Sequence, residues 1–425
     1  MIEKLRNKIF EIPIEDRSSL SKAFFFFYFV LCAWYSIRPV RNEMAVQAGL
    51  ENLPGLLSIV LLIMLIANPV YSWLVSRINR NKIVIYFYLF FIANLLFFFF
   101  SWISLDETWK PLIAKSFYIW CNVFSFFVVS IFWVSMINYF SGPQAKLYFG
   151  IISAGGSIGA FTGSSVARTF STQVCGSVSL SEWGPFSLIL VSVLSLSIAC
   201  LLSSSFSSGK SSIDVQKNSG LSKSSSIKPI IDIPRSPVLR NLSLYMILWT
   251  ALMTFGWMVA LGIVQEWSSD PCERTAFFAR IEQVVTPLTL FCQFLITAAV
   301  LKIIGIRMVL IIYGFILFAA IYFYELYPEI MTVLIIVSVL RTFEYGLSKP
   351  ARESLFTKLK SEERYKSTVF LDTFFARAGE VMGSWFAAKG VILLGLSSMG
   401  ASLFMLPFAA LLSWTGYKAS KLLDE

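Results

Sequence analysis

The chain has 425 residues, 56% of them hydrophobic and 14% charged, with a net charge of +10 and no histidine. An ordinary soluble domain carries roughly 25% charged residues; together with a mean hydropathy of +0.71, the shortfall excludes a single soluble core and indicates a polytopic membrane protein. The missing imidazole removes the commonest general base, proton shuttle and zinc ligand. The basic residues collect in loops, as membrane topology requires, and do not argue for a nucleic-acid partner.

The apolar runs are continuous, as from Phe24 to Ala33 and from Phe97 to Phe100, whereas strands of a membrane barrel alternate apolar and polar positions. They predict about twelve helical spans, each near the ~20 residues needed to cross a bilayer: 20–39, 53–76, 83–103, 112–138, 149–170, 185–205, 239–265, 276–301, 306–325, 328–347, 367–390 and 394–416. The first run ends in Tyr35-Ser36-Ile37-Arg38-Pro39 rather than in a small-residue cleavage site, so it reads as a retained helix. Pro69 and Pro287 are expected to kink the second and eighth spans. The eleventh is polar, with Asp372, Arg377, Glu380 and Lys389. Without it, Lys418 and Lys421 would lie on the side opposite the other basic loops.

About 25 of the 35 basic residues fall in alternate loops and at the two termini. The other loops carry Asp106, Glu107, Glu182, Asp270, Glu273 and Glu329. The positive-inside rule then places both termini in the cytoplasm, with a cell inner membrane as the expected location. Between the sixth and seventh spans lies a serine-rich stretch with prolines at 229, 234 and 237, which reads as a flexible linker. The expected organisation is an N-terminal six-helix bundle (1–205), a cytoplasmic linker (206–237) and a C-terminal six-helix bundle (238–425). This is an all-α membrane protein with the layout of the major facilitator fold, which nests inverted three-helix repeats within each half. Gly155, Gly159 and Gly163 in the fifth span and Gly379 and Gly383 in the eleventh repeat a four-residue spacing suited to close helix packing. Gly155-Gly156-Ser157-Ile158-Gly159 follows no strand and is not a phosphate loop; no cofactor is expected. The cysteines lack metal-ligand spacing, and no metal site is expected. Cys175 and Cys272, in predicted outer loops of opposite halves, are candidates for a disulfide.

Charges inside the spans are costly and usually face a cavity or a partner. Arg38 and Arg41 share one helical face near the outer end of the first span. Two readings stay open: the pair snorkels to the interface, or it forms a fork for an anion, aimed by the intervening Pro39. Lys115, one turn into the fourth span, divides in the same way between cavity and interface. Arg341 and Glu344 are three residues apart in the tenth span, and Arg377 and Glu380 repeat that spacing in the eleventh. Each pair can neutralise itself along its helix, as a structural pair or as a gate. Asp372 has no partner within its own helix and could carry a proton or meet a cation on another helix. Glu266 and Glu282 flank the predicted loop between the seventh and eighth spans and are expected to be exposed at the mouth.

Three stretches carry a family resemblance. They are Tyr35-Ser36-Ile37-Arg38-Pro39-Val40-Arg41; Ala145-Lys146-Leu147-Tyr148-Phe149-Gly150 running into Ala154-Gly155-Gly156-Ser157-Ile158-Gly159; and the segment from Arg341-Thr342-Phe343-Glu344-Tyr345 through Lys349-Pro350-Ala351-Arg352-Glu353, Arg364-Tyr365-Lys366 and Asp372-Thr373 to Arg377-Ala378-Gly379-Glu380. The chain resembles bacterial members of the ATP/ADP translocase family of nucleotide exchange transporters, within the major facilitator superfamily. It departs from many relatives at Asn42, where they place an acid, with Glu43 one step later, and at Lys349, where an arginine is common. The resemblance implies nucleotide antiport through a charged central cavity.

From both lines, the expected function is transport of an anionic, phosphorylated metabolite, with nucleotide the leading substrate. Arg38, Arg41, Lys115, Arg341 and Arg377 would bind it, while Glu344, Asp372 and Glu380 balance charge or gate. The other expected partner is membrane lipid, and a monomer is expected. The rivals are a carrier of another organic anion or amphiphile, a non-transporting membrane protein, and a membrane enzyme, the last disfavoured by the absence of an activated nucleophile.

Overall fold

A backbone in hydrocarbon must satisfy its own hydrogen bonds, so long apolar runs fold as helices. The computed structural model describes residues 13–77, 80–140, 145–173, 184–206, 236–356 and 371–424. Among them, twelve membrane-length helices follow in order: α1 Ile14–Gln47, α2 Leu53–Arg77, α3 Arg80–Ser104, α4 Lys110–Tyr139, α5 Ala145–Gln173, α6 Leu188–Ser204, α7 Pro237–Trp267, α8 Pro271–Ile303, α9 Gly305–Leu326, α10 Ile330–Phe356, α11 over 371–393 and α12 over 398–424. Ten are long and apolar enough to cross a membrane on composition alone; α5 and α11 are not among them. The four charged residues of α11 are the reason for that helix, and its run of glycine, serine and threonine the reason for α5. Most of the expected serine-rich linker, and Cys175, lie outside the described residues. Cys272 is disulfide-bonded.

Buried side chains form two clusters, one per half. Phe26, Tyr88, Phe117, Phe124 and Phe132 centre the first, and Tyr245, Phe278, Tyr313, Tyr324 and Phe356 the second. The halves repeat each other: α5 packs along α1, and α11 along α7. Across the midline, α5 meets α8 and α11 meets α2. The glycine spacing makes these approaches possible. A Cβ on Gly155 or Gly163 would stand 2.5 Å from the backbone oxygen of Phe24 or Cys32, and one on Gly159 would overlap the Tyr28 backbone. Gly379 and Gly383 meet the backbones of Ile247 and Ala251 in the same way.

At the end opposite the chain termini, the corner between α1 and α2 leaves its own half. Ala45, Val46, Ala48, Leu53, Leu56 and Leu57 belong to the core of the C-terminal half. This apolar seam closes the molecule at that end.

The C-terminal half departs from regular helix where it matters. π-Helical turns occupy Cys292–Ile296 of α8, Glu344–Ser348 of α10, and Leu371–Phe375 and Phe386–Gly390 of α11. Such turns arise mostly at functional positions. The turns of α8 and α10 clip together: Gln293 Nε2 donates to the Tyr345 carbonyl at 3.0 Å, and Thr297 Oγ1 donates to that of Gly346 at 2.5 Å. In α8 the π turn begins five residues beyond Pro287.

Gly159→Ala is expected to lower the detergent melting temperature sharply, because its methyl group meets backbone. Gly150→Ala, with open space around its Cβ, should be neutral or stabilising by up to about 1 kcal/mol through helix propensity. Equal melting of the two variants would contradict the packing.

Candidate functional site

Between the two halves lies a cavity of about 510 Å³. It is lined from α1 by Trp34, Tyr35, Arg38, Arg41 and Asn42, from α4 by Tyr118 and Asn122, from α7 by Trp257, from α10 by Arg341 and Tyr345, and from α11 by Arg377 and Glu380. Four guanidiniums from three helices therefore converge on one chamber. Aromatic rings support three of them: Tyr35 lies 5.3 Å from Arg38, Trp34 lies 5.8 Å from Arg41, and Tyr345 lies 5.8 Å from Arg341. A cation–π contact offsets part of the cost of desolvating each charge.

Their acidic partners differ from those the sequence spacing suggests. Glu282 was expected to be exposed at the mouth. Instead its side chain is only 1% exposed, and it bridges the halves. It accepts from Arg38 Nη1 of the N-terminal half at 3.3 Å and from Arg341 Nη2 of the C-terminal half at 2.9 Å. The reason is where the helix begins. α8 starts at Pro271, capped by the Asp270 carboxylate on the Cys272 N–H, not at 276, so Glu282 sits three turns deep. Glu266 is exposed, as expected.

Arg341 likewise does not pair with Glu344. The π turn beginning at Glu344 rotates that carboxylate into the core of the C-terminal half, where it meets Arg352 at 3.3 Å. The Arg377–Glu380 pair does form within its helix, at 2.7 Å.

Arg41 has no carboxylate within ion-pair distance among the described residues. Its Nε and Nη2 donate to Asn42 Oδ1 at 3.2 and 2.7 Å, and its Nη1 donates to Asn122 Oδ1 at 3.4 Å. The amide at 42 positions the guanidinium without cancelling its charge. Four cations against Glu282 and Glu380 leave the site two charges positive.

Lys115, Glu344 and Asp372 do not line this cavity. Lys115 is half-buried one turn from Tyr118 on α4. Asp372 is exposed, within the electrostatic reach of Arg352.

A second inter-half pair lies above the cavity, beside the apolar seam, and nothing in the sequence pattern singles it out. Arg274 Nε and Nη2 donate to the two oxygens of Glu43 at 2.8 and 2.5 Å, with the carboxylate fully buried. Gln47 and the Ser268 carbonyl complete the cluster. Elsewhere between the halves, Gln283 of α8 is joined to Arg168 and Ser165 of α5, and Trp385 of α11 donates to Ser58 of α2. These polar links between halves lie at mid-depth or toward the end away from the termini, so this is a state closed at that end.

No known protein family and no curated protein matches the sequence. Solved structures do match. A variant of the nucleoside transporter NupG superposes with a TM-score of 0.66 at 12% identity, covering 95% of this chain and 99% of that one. A peptide transporter POT bound to alafosfalin gives 0.64 at 12%, covering 95% and 94%. A bacterial homologue of the human lysosomal transporter Spinster, inward-facing and unoccupied, gives 0.59 at 14%, covering 97% and 95%. At these identities the likeness establishes architecture: a multi-pass membrane protein with the major facilitator fold.

Breaking one side of a buried ion pair costs about 3–5 kcal/mol. Glu43→Ala should therefore open the far end. Cysteines introduced at Leu50 and Gly262, where a Cβ on the glycine would stand 4.0 Å from Leu50 Cδ1 across the seam, should cross-link efficiently in the parent and poorly in the Glu43→Ala background. Undiminished cross-linking would show that the pair does not hold the seam.

Proposed function

We propose that this protein is an alternating-access transporter of anionic, phosphorylated metabolites, with nucleotides as the leading substrates, working by exchange or uptake. The observation that carries the reading is the excess of positive charge in a chamber shared by both halves, with Arg41 left without a counter-acid at ion-pair distance among the described residues. Guanidinium planes match phosphate oxygens bidentately. In this reading Arg38, Arg41, Arg341 and Arg377 bind phosphates, and Trp34, Tyr118 and Trp257 offer ring faces to a base. The volume falls within the range of small-molecule sites, roughly 300–1,000 Å³, and one chain carries the whole chamber. The resemblance to ATP/ADP translocases supports the same substrate class.

The bridge through Glu282 supplies a mechanism. Its carboxylate occupies the Arg38 and Arg341 guanidiniums while the site is empty, and a phosphate competes for them. Displacing Glu282 breaks one link between the halves and lets them rock about the cavity. Glu380 likewise occupies Arg377 while the site is empty, but within one helix, so its displacement frees a cation without breaking a link between the halves. Lys115 would meet substrate in the state open at the far end. In this reading the protein sits in a cell inner membrane with both termini in the cytoplasm, a topology that the basic loops favour.

Liposomes loaded with ADP should take up labelled ATP faster than empty ones. Acceleration by an organic dicarboxylate instead would favour the other-anion carrier. Arg38→Ala and Arg377→Ala should abolish uptake while the protein still elutes as a folded species, and wild-type rates in both would refute their assignment. Arg41→Ala should weaken binding by about 10- to 150-fold, the equivalent of about 1.5–3 kcal/mol for charge-assisted hydrogen bonds.

A further inference from the structure

The buried ion pair inside the C-terminal half has no part in the mechanism above. Glu344 is 3% exposed and Arg352 is 2% exposed, and their contact is long, Arg352 Nη1 to Glu344 Oε1 at 3.3 Å. Among the described residues, Glu344 Oε2 and Arg352 Nε are buried without a hydrogen bond of good geometry, and the buried Ser348 and Tyr245 hydroxyls face each other at poor geometry. Leaving such atoms unmatched is costly, and a site that retains several is a place where a proton, ion or water belongs. Among the described residues, the neighbours come from four helices. From α7, Tyr245 presents its hydroxyl to Ser348 and Glu344, and the Trp249 ring lies 4.6 Å from the Arg352 guanidinium. From α9 comes Tyr313, whose hydroxyl accepts from Trp249 Nε1 and stands beside Glu344. From α10 itself come Lys349, near Glu353, and Glu353; from α11 comes Asp372. Both carboxylates act on Arg352.

We propose that Glu344 is a proton-binding site, and that Arg352 is handed between Glu344 and the Asp372–Glu353 carboxylates as the proton comes and goes. A proton from water forms an O–H bond at the free Glu344 oxygen and removes the negative charge of the buried pair. Arg352 then keeps its charge balanced through Asp372 on α11 and Glu353. A metal cation is the poorer occupant, because the guanidinium is already in place beside the carboxylate. The position suits coupling. Glu344 opens the π turn of α10, three residues past Arg341 and next to Tyr345, which both line the cavity. Protonation therefore acts on the helix that presents Arg341 to substrate, and through Asp372 on the helix that presents Arg377. That consequence rests on the transporter reading; the proton site does not.

The test is infrared difference spectroscopy of the full-length protein in detergent, without substrate, titrated across roughly pH 4 to 9, where buried carboxyls ionise. The carbonyl-stretch band of a protonated carboxylic acid should be lost in Glu344→Gln and retained in Glu380→Gln. Asp372→Asn leaves Glu344 intact and should move the midpoint of that band to more acidic pH. A Glu344→Gln protein with the wild-type band, or an Asp372→Asn protein with an unchanged midpoint, would overturn the assignment. In liposomes, a pH gradient should drive ATP accumulation by wild type, and Glu344→Gln should keep ATP/ADP counterflow but lose the gradient effect. Counterflow in wild type with no pH effect would remove the coupling, whereas absent counterflow would count against the transport reading and leave the proton site to be decided by the infrared band.

Discussion

One carboxylate answering a guanidinium from each half is the interaction on which the arrangement of this protein depends. Glu282 is almost fully buried between Arg38 and Arg341, and neither arginine could be kept in so dry a place without it. The desolvation cost of such groups is several kcal/mol each and is offset only by close, well-directed partners. Because the partners come from opposite halves, neutralising the charges also ties the halves together. Under the transport mechanism proposed above, a ligand with its own negative charge would replace Glu282 electrostatically, but not as a covalent part of α8. Ligand binding and loosening of the inter-half link would then be the same event.

The packing makes that event consequential. Each half is stiffened by glycine-mediated approach of one helix pair, α5 on α1 and α11 on α7, so each is expected to move as a body. The far-end seam is different in kind. It combines the α1–α2 corner, embedded in the opposite core, with the Glu43–Arg274 fork. It therefore has an apolar component with no directional preference and a polar component that is all-or-none. The π turns of α8, α10 and α11 cluster in the C-terminal half, next to the residues that carry Arg341, Glu344 and Arg377.

Most of the architecture was legible from the chain because hydrophobic length and loop charge report directly on a bilayer. The eleventh helix shows the limit of that signal. Asp372, Arg377, Glu380 and Lys389 depress its hydropathy, yet Gly379 and Gly383 fit it against α7 and its charges turn partly inward. The arginines of the cavity were readable as misplaced charges. Their partners were not, for two separate reasons. Glu282 seemed to lie at a mouth because the polar first turns of α8, from Pro271, do not look like a span. Glu344 seemed to face Arg341 because a three-residue spacing assumes regular helix, and a π turn cannot be seen in spacing. Arg274 and Glu43 lie far apart in sequence, and only the fold brings them together. Asn42 had a signal of its own: an amide where an acid is common among the proteins the chain resembles, and among the described residues Arg41 has amide partners but no carboxylate at ion-pair distance.

If the chamber recognises negative charge, the affinity of the purified protein for a nucleoside and its mono-, di- and triphosphate, measured at constant ionic strength, should rise with each phosphate. The rise should be at least about tenfold from nucleoside to triphosphate, and Arg41→Ala should flatten the series. Equal affinity for the neutral nucleoside and the triphosphate would contradict it.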